Sequence, residues 1–408
     1  MILLYNKKKI GFTPIFFGGL RGARTLDQLI KSQLLYQLSY KPFFIYIIII
    51  QPDFKFAINS LLEYNKNIMS ENIKAMIMSA GVGSRLEPLT LSIPKPLVPI
   101  ANRPVMDILF EKLSKIGVTD VICNTYYLAD KIIERYSNNN FGINFNYIKE
   151  DTLSGTAGGV KKCQSFFDKD SSFLVLSADG LSDVDLKKAI EHHKNTGAVA
   201  TIGIKKIAME DVPHFGVVVT DNNGYITEFQ EKPSVEEAKS NYINTGIYIF
   251  DYKIFDYIPE NTFYDFAKNV FPKLVERNEI NTFEVSEYWS DIGTINQYIQ
   301  SNEDVFLGKC NFSHNKIVEL QNGASYIADE SCIIPQNVTF KGKSVIGKNT
   351  KIGRNAIIEN SIIWDNVVIS DDVHIENCVI ASDCVIKMNL HSQIVGANEL
   401  IEEKSLQV

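Results

Sequence analysis

The sequence contains no Cys-x-x-Cys pair. Its six cysteines stand singly at 123, 163, 310, 332, 378 and 384 of a 408-residue chain. That scatter excludes a disulfide framework and a thiolate zinc site, and marks the thiols as reduced packing residues of a cytoplasmic protein. Basic excess is also missing: 41 Lys and Arg face 48 Asp and Glu, a net charge of −7. General nucleic-acid binding is therefore excluded, and any anion must be met by a local cluster of positive charge. Long apolar runs are absent from the basic N-terminal part, where the longest, Phe43–Ile50, has eight residues against the roughly 18 that a membrane span needs. No membrane partner is expected. Two common phosphate motifs are missing as well. No Gly-Lys-Ser or Gly-Lys-Thr ends the glycine loop, and no third glycine completes a dinucleotide fingerprint. What remains is a composition of 45% apolar and 22% charged residues, enough for two or three globular domains with their own cores.

Charge divides the chain. Residues 1–68 carry nine basic and three acidic residues, and the remainder carries 32 and 45. Lys7–Lys9 followed by apolar residues has the start of a signal peptide, but Pro14 interrupts it and no small-residue cleavage site comes after it. Gly22–Tyr40 resembles peptides produced when a transfer-RNA gene is translated. Residues 1–68 are accordingly expected to be an extension outside the working protein, non-native or disordered, with Met69 as its natural start. The intact mass of the native protein tests this.

Past Met69 the chain is organised around Ser79–Pro99. A short apolar run, Ile73–Met78, reads as a strand and leads into a loop carrying Gly81 and Gly83, then Arg85 and Lys95. Glycines let a backbone bend sharply and converge its N–H groups on phosphate oxygens, and Pro88, Pro94, Pro96 and Pro99 stiffen the rest of the segment. Strand and helix patterns then alternate: a helix at Pro104–Ile116 with Gly117 after it, a strand at Val121–Thr125, a helix at Leu128–Tyr136 and a strand at Ile143–Ile148. This alternation predicts an α/β fold, a mostly parallel sheet with helices on both faces and ligands at the carboxyl ends of its strands. Phe173–Asp179 is such a strand, ending on a carboxylate. Asp183 and Asp185 read as helix-start residues. A hairpin turns at Asn222–Gly224, and a helix is expected over Tyr264–Arg277. Thr294 is placed to cap the helix after Asp291.

From about residue 323 the period changes. Ile334, Phe340, Ile346, Ile352, Ile358, Ile363, Ile369, Ile375, Ile380 and Ile386 recur in steps of six with occasional fives, with Gly347, Asn349, Gly353 and Asn355 at corners. This spacing predicts a parallel β-helix whose coils stack on one another. His374 alternates outward and reads as a surface residue. Domains are thus expected at 72–305 and 323–395, with a linker at 306–322 and a tail at 396–408.

Gly81-x-Gly83-x-Arg85-Leu86-x-Pro88-Leu89-Thr90, followed by Pro94-Lys95-Pro96, closely resembles the signature of nucleotidyltransferases that make nucleotide sugars from a sugar 1-phosphate and a nucleoside triphosphate. Ser79 and Ser84 depart mildly from its usual Ala and Thr. The later motifs, Glu150–Val160, Phe173–Asp179, Gln230–Pro233, Asn244–Phe250 and Tyr288–Thr294, stand in the family's order. With the tail, which resembles left-handed hexapeptide-repeat helices, the likeness is greatest to the mannose-1-phosphate guanylyltransferase branch. The resemblance implies a Rossmann-like mixed sheet followed by a left-handed parallel β-helix serving assembly or regulation, in a homo-oligomer. It implies Arg85 and Lys95 as catalytic residues. Ala80, Gly81, Gly83, Glu150, Gly155 and Thr156 would bind nucleotide; Gly216, Glu231, Lys232 and Asn244 would bind the sugar phosphate; Asp179 and Asp291 would hold Mg²⁺.

In the family the residue at 150 reads the base. Guanine offers two adjacent donors that one carboxylate can accept together, so Glu150 favours GTP. The bland alternative is a solvent-facing glutamate. The resemblance thus implies GDP-mannose and pyrophosphate made from GTP and mannose 1-phosphate, with thymidylyl, uridylyl or adenylyl transfer to glucose 1-phosphate and a non-catalytic sugar-nucleotide sensor as the rival functions. Retention of Arg85, Lys95, Asp179 and Asp291 together argues against the sensor.

Overall fold

The computed structural model describes residues 73–137 and 141–403, together with the backbone of two short strands, Leu3–Leu4 and Ile15–Phe16, which pair antiparallel. These two strands belong to a unit of their own, Met1–Glu71. The expectation for residues 1–68 otherwise lies outside the described residues. Asn72–Val408 forms the second unit.

Its centre is Ala75–Met78 (β1), flanked in parallel by Asp120–Thr125 (β2) and Ser172–Ser177 (β4), with Asn144–Lys149 (β3) beyond β2. Residues of β1 and β4 alternate between two cores. Met76, Phe173 and Val175 face one, while Ala75, Ile77, Leu174 and Leu176 face the other. Burial on both faces is why these strands read as continuous apolar runs. Val105–Ile116 (α1), Ala129–Ser137 (α2) and Leu186–Thr196 (α4) cover the second face, and Gly155–Lys162 (α3) and Phe271–Glu276 (α5) the first. Gly117 ends α1 at φ 94°, a left-handed cap, and Asp185 starts α4 by accepting from the Lys188 N–H.

Beyond β4 the pairing changes hand. Tyr242–Asp251 (β9) runs antiparallel to β4 and to Ala200–Lys206 (β6), which pairs in parallel with Ile280–Glu284 (β10). The hairpin of Gly216–Thr220 (β7) and Ile226–Glu231 (β8) joins the start of β9 and completes nine strands. One expected element differs. The helix anticipated over Tyr264–Arg277 is a wide turn, Phe266–Val270, followed by α5. Pro272 lies in the first turn of α5, where its missing N–H is tolerated, so the continuous α-helix begins there.

The C-terminal strands form three sheets, parallel except for the antiparallel edge strand Ile317–Glu319, wrapped around one core to which the hexad positions Ile346, Ile352, Ile358, Ile363, Ile369, Ile375, Ile380 and Ile386 all contribute. Partners lie 18 residues apart in the first coil, as Phe340 and Ile358 do, and 17 apart in the middle coils, as Ile346, Ile363 and Ile380 do, which is two steps of six and one of five. The last coil is shorter: Ile386 pairs with Ile401. Strand Leu400–Ile401 therefore occupies a stretch expected as tail, because the apolar Ile401 continues the inward face. His374 stands on the outer side, 3.5 Å from Glu359.

Corners are made by residues at positive φ, among them Asn349, Asn366 and Asp383 at 58°, 60° and 65°. Their side chains form a ladder, with Asn349 Nδ2 donating to Asn366 Oδ1 at 3.2 Å and Asn366 Nδ2 to Asp383 Oδ1 at 2.9 Å. Asn tolerates the left-handed region where other L-residues lose roughly 1–2 kcal/mol. Asn366→Ala forfeits both conformation and ladder, and is expected to destabilise the protein by about 2 kcal/mol in chemical denaturation. A loss below about 0.5 kcal/mol would contradict the ladder's role.

Ile295–Phe306 (α6), capped by Thr294, fastens the β-helix to the sheet domain. Trp364 Nε1 donates to the Tyr298 hydroxyl at 2.8 Å, Asn102 Nδ2 to the Ile346 carbonyl at 2.7 Å, and the Ala101 N–H to Asn302 Oδ1 at 2.9 Å. Leu86, Leu89 and Val98 of the glycine-loop segment share an apolar core with Val345, Ile362 and Trp364. The β-helix thus supports the base of the loop around which the site is built.

Candidate active site

The carboxyl ends of β1 and β4 open into a cleft of about 350 Å³ lined by Ser79, Ala80, Gly81, Lys95, Glu150 and Asp179, among others. Gly83 makes the lysine's position possible. Its φ is +73°, and a Cβ there would stand 3.0 Å from Lys95 Cβ and 3.3 Å from Thr90 Cγ2. Lys95 crosses to the end of β4 and forms an ion pair with Asp179, both side chains mostly shielded.

Asp291 reaches the same place by strand pairing. Gly180–Ser182 (β5) runs antiparallel to Trp289–Asp291 (β11) with Asp291 opposite Gly180, and the Ile292 N–H donates to the Asp179 carbonyl at 3.1 Å. Burial pushes the Asp291 carboxyl above the ordinary carboxylate range, and the Asp179 charge adds to that, against Lys95 and Arg85. Gln297 Nε2 orients it by donating to Oδ1 at 2.9 Å. Arg85 lies on this side and outside the cleft wall. A Cβ on Gly293 would meet Asp291 Oδ2 at 3.0 Å and the Arg85 guanidinium at 3.3 Å.

The second group of expected residues assembles on β7, β8 and β9. Gly216 pairs with Glu231, and a Cβ at Gly216 would strike the Phe229 ring at 2.7 Å. Lys232 follows in the left-handed region at φ 50°, its Nζ 3.9 Å from Glu231. A bulky residue held there stores strain of a kind found at ligand clamps. Asn244 donates to the Tyr248 hydroxyl at 2.9 Å and accepts from the Gly246 N–H at 3.0 Å. Burial pushes the Tyr248 hydroxyl up, with the charges of Asp265, Glu231 and Asp179 adding to it. Tyr248 thus touches the second group through Asn244, and it has no sequence signal beyond the apolar rhythm of its strand.

Gly155 and Thr156 line the cleft at the start of α3. Gly155 has φ +78°, and a Cβ would stand 2.4 Å from the Tyr264 carbonyl, which accepts from the Ala157 and Gly158 N–H groups. Thr156 Oγ1 donates to Asp265 at 2.9 Å, so the loop before α5 closes the cleft and brings Asp265 and Phe263 to its wall. Neither residue carries a local signal in the sequence, because the contact spans 109 residues. Glu150 lines the cleft but accepts from Asn124, Ser154 and Lys162 rather than facing solvent.

Asp291 on β11 and Asp179 directly before β5 are carboxylates of the kind that suits a hard cation. Among the described residues no group of three or more His, Cys, Asp or Glu forms a closed cage. Asp179 and Asp291 are the residues that would hold Mg²⁺, with phosphate oxygens and water as its other ligands, and its charge would offset the Asp179 contribution to the raised Asp291 carboxyl, which burial dominates.

Residues 74–306 match the family described as Nucleotidyl transferase. The chain belongs to that family. Residues 310–408 match the GlmU-like C-terminal hexapeptide family. The chain is 38% identical over 292 residues to a UTP–glucose-1-phosphate uridylyltransferase of Synechocystis, covering 69% of this chain and 75% of that protein. It is 32% identical over 285 residues to a mannose-1-phosphate guanyltransferase of Schizosaccharomyces pombe, covering 68% and 74%. A Bacillus anthracis crystal structure, of a protein assigned as a glucose-1-phosphate thymidylyltransferase in complex with a sucrose, superposes with a TM-score of 0.52 at 28% identity, covering 59% of this chain and 97% of that one.

For a nucleotidyltransferase, one exposed side chain becomes notable. Phe263 is 69% exposed and Leu153 43% exposed, yet both line the cleft. An aromatic face left open to solvent in such a cleft suits stacking on a planar base, worth about 1–3 kcal/mol. Phe263→Ala is expected to raise KM for the nucleoside triphosphate by about 5- to 100-fold with kcat nearly unchanged, and Phe263→Trp to restore it. Equal KM values in initial-rate kinetics would remove Phe263 from the site.

Proposed function

We propose that this protein joins a nucleoside triphosphate to a hexose 1-phosphate, releasing pyrophosphate, with UTP and glucose 1-phosphate as its substrates. The reaction class rests on the convergence of Lys95, Asp179 and Asp291 beside the glycine loop. A phosphate oxygen of the sugar phosphate attacks the α-phosphorus, one P–O bond forms, and the bond to the β-phosphate oxygen breaks in line with it. No covalent enzyme intermediate is required. Lys95 leaves Asp179 for the α-phosphate, where negative charge is redistributed in the transition state. Arg85 and the N–H groups from Ala80 to Gly83 hold the departing pyrophosphate. Glu231 and Asn244 position the sugar hydroxyls, with Lys232 and the Gly216 backbone on its phosphate. Mg²⁺ on Asp179 and Asp291, when bound, neutralises charge on the phosphate oxygens.

The choice of base is supported by the Synechocystis relative and by Glu150. Reading both guanine donors needs an uncommitted carboxylate, whereas this one already accepts from three side chains. Guanylyl transfer to mannose 1-phosphate is the second reading, favoured by the guanyltransferase relatives and by the place of Glu150 in the cleft wall. A substrate matrix of UTP, GTP, dTTP and ATP against glucose and mannose 1-phosphate, read as pyrophosphate release, tests both. UTP with glucose 1-phosphate is expected to be fastest. The highest rate with GTP and mannose 1-phosphate would select the second reading, and no release with any pair would end the enzymatic one. A cytoplasmic setting, supported by six unpaired cysteines, and association into a homo-oligomer belong to the same proposal.

A further inference from the structure

The Glu150 side chain is 1% exposed, and both of its oxygens accept hydrogen bonds. Oε1 accepts from Asn124 Nδ2 at 2.7 Å. Oε2 accepts from the Ser154 N–H at 3.1 Å, from the Ser154 hydroxyl, and from the Lys162 ammonium at 3.1 Å. Three of the four donors converge on Oε2 and fill it, and Oε1 keeps one of its roughly two acceptor sites beside Asn124, too few for both donors of a guanine edge. Burial pushes its carboxyl up, but the hydrogen bonds and the Lys162 charge outweigh this and hold it below the ordinary range. It is therefore an anion at neutral pH.

The bonds continue to a second loop. Asn124 Oδ1 accepts from the Ser79 N–H at 3.2 Å, and the Ser79 hydroxyl donates to the Asn124 carbonyl at 2.6 Å. Ser79 opens the glycine loop, and Ser154 directly precedes the Gly155 turn. Gly159 makes room for the link, since a Cβ there would stand 2.6 Å from Asn124 Nδ2 and 3.4 Å from Glu150 Oε1. Two loops far apart in the chain are thus joined through one acid.

We propose that Glu150 is a positioning residue: with Lys162 as counter-ion and Asn124 as relay, it clamps the Ser154 turn to the Ser79 loop, while other groups of the cleft read the base. The inference rests on the reading of this cleft as a nucleotide site. Phosphate-binding and base-binding loops are then held in one geometry before substrate arrives, which spares the ordering that binding would otherwise require.

The test uses the full chain with Glu150→Gln, Lys162→Met and the double variant. Glutamine presents an NH₂ group where a donor expects an oxygen, and it leaves Lys162 charged without a partner. In the ligand-free protein, hydrogen exchange at the Ser79 and Ser154 amides is expected to rise together by about tenfold in Glu150→Gln. It should recover in part in the double variant, which strands no charge. In kinetics, KM for every triphosphate rises by a similar factor, and the ratio of kcat/KM between UTP and GTP stays within about twofold of the parent's. A ratio shifted tenfold makes Glu150 a base reader and overturns the proposal. Unchanged exchange at Ser79 while Ser154 loosens overturns it too, because the relay through Asn124 is then not a clamp. Should the parent release no pyrophosphate from any pair, the proposed function fails, while the exchange measurements still decide whether the clamp exists.

Discussion

Lys95→Ala is expected to lower the turnover number for pyrophosphate release by about 10²–10³-fold, with a smaller change in KM for the triphosphate. The ammonium is delivered by a tightly held loop. Pro94 and Pro96 flank it, the Val98 N–H closes a tight turn on the Lys95 carbonyl at 3.1 Å, and Gly83 has no Cβ to obstruct its stem. Its charge gains most where charge shifts during the reaction, so its loss falls on kcat. Folding should survive, because Asp179 keeps 27% of its side chain exposed and water can replace the lysine. Arg85 does not stand in for it, lying on the Asp291 side of the site. Stopped-time assays and a thermal melt decide the matter. A kcat within about fivefold of the parent's would remove Lys95 from the reaction.

The second large effect has two signs. Asp291→Asn is expected to cut turnover by about 10²–10³-fold while raising the melting temperature of the ligand-free protein at pH 7. Burial first, and then the Asp179 charge, raise the Asp291 carboxyl in the folded protein. The folded state therefore holds this proton more tightly than the unfolded chain does, and stability is greatest below the ordinary carboxylate value. It is lost as pH rises through the raised one. Asparagine keeps the shape and still accepts from Gln297, but it does not ionise, so the variant escapes that loss. The gap between variant and parent should narrow as pH falls toward about 4. Added Mg²⁺ and nucleotide should reverse the order, since a ligand stabilises only the form that binds it. A lower melting temperature for the variant at pH 7 would contradict the origin assigned to the shift.

Some of these features are written locally. The glycine loop, the strand ending at Asp179 and the hexads of the tail each depend on residues within a few positions of one another, and their periods survive folding unchanged. Thr294 caps α6 and Asp185 caps α4 because a cap needs only its own first turn. Ile401 carries a weaker signal, since the last coil is two residues shorter than the one before it and its strand lies outside the regular count. Pro272 signals a helix start, but nothing local says that the preceding turn, Phe266–Val270, is wide.

The active site divides along the same line. Residue types at short spacing are enough to indicate a phosphate cradle with a lysine and a carboxylate, because bending, charge and metal affinity are properties of individual groups. Which groups are free to act depends on partners distant in the chain. Asp291 becomes a companion of Asp179 only through the pairing of β5 with β11. Phe263 and Asp265 enter the cleft only because Thr156 holds their loop, and Tyr248 joins the site only because Asn244 donates to its hydroxyl. Glu150 shows the difference most plainly. As a letter it is a carboxylate suited to a base edge, and in the fold its acceptors are taken by Asn124, Ser154 and Lys162. Hydrogen-bonding capacity is finite, so a residue's function depends on what its neighbours leave unused, and only the tertiary structure settles who those neighbours are.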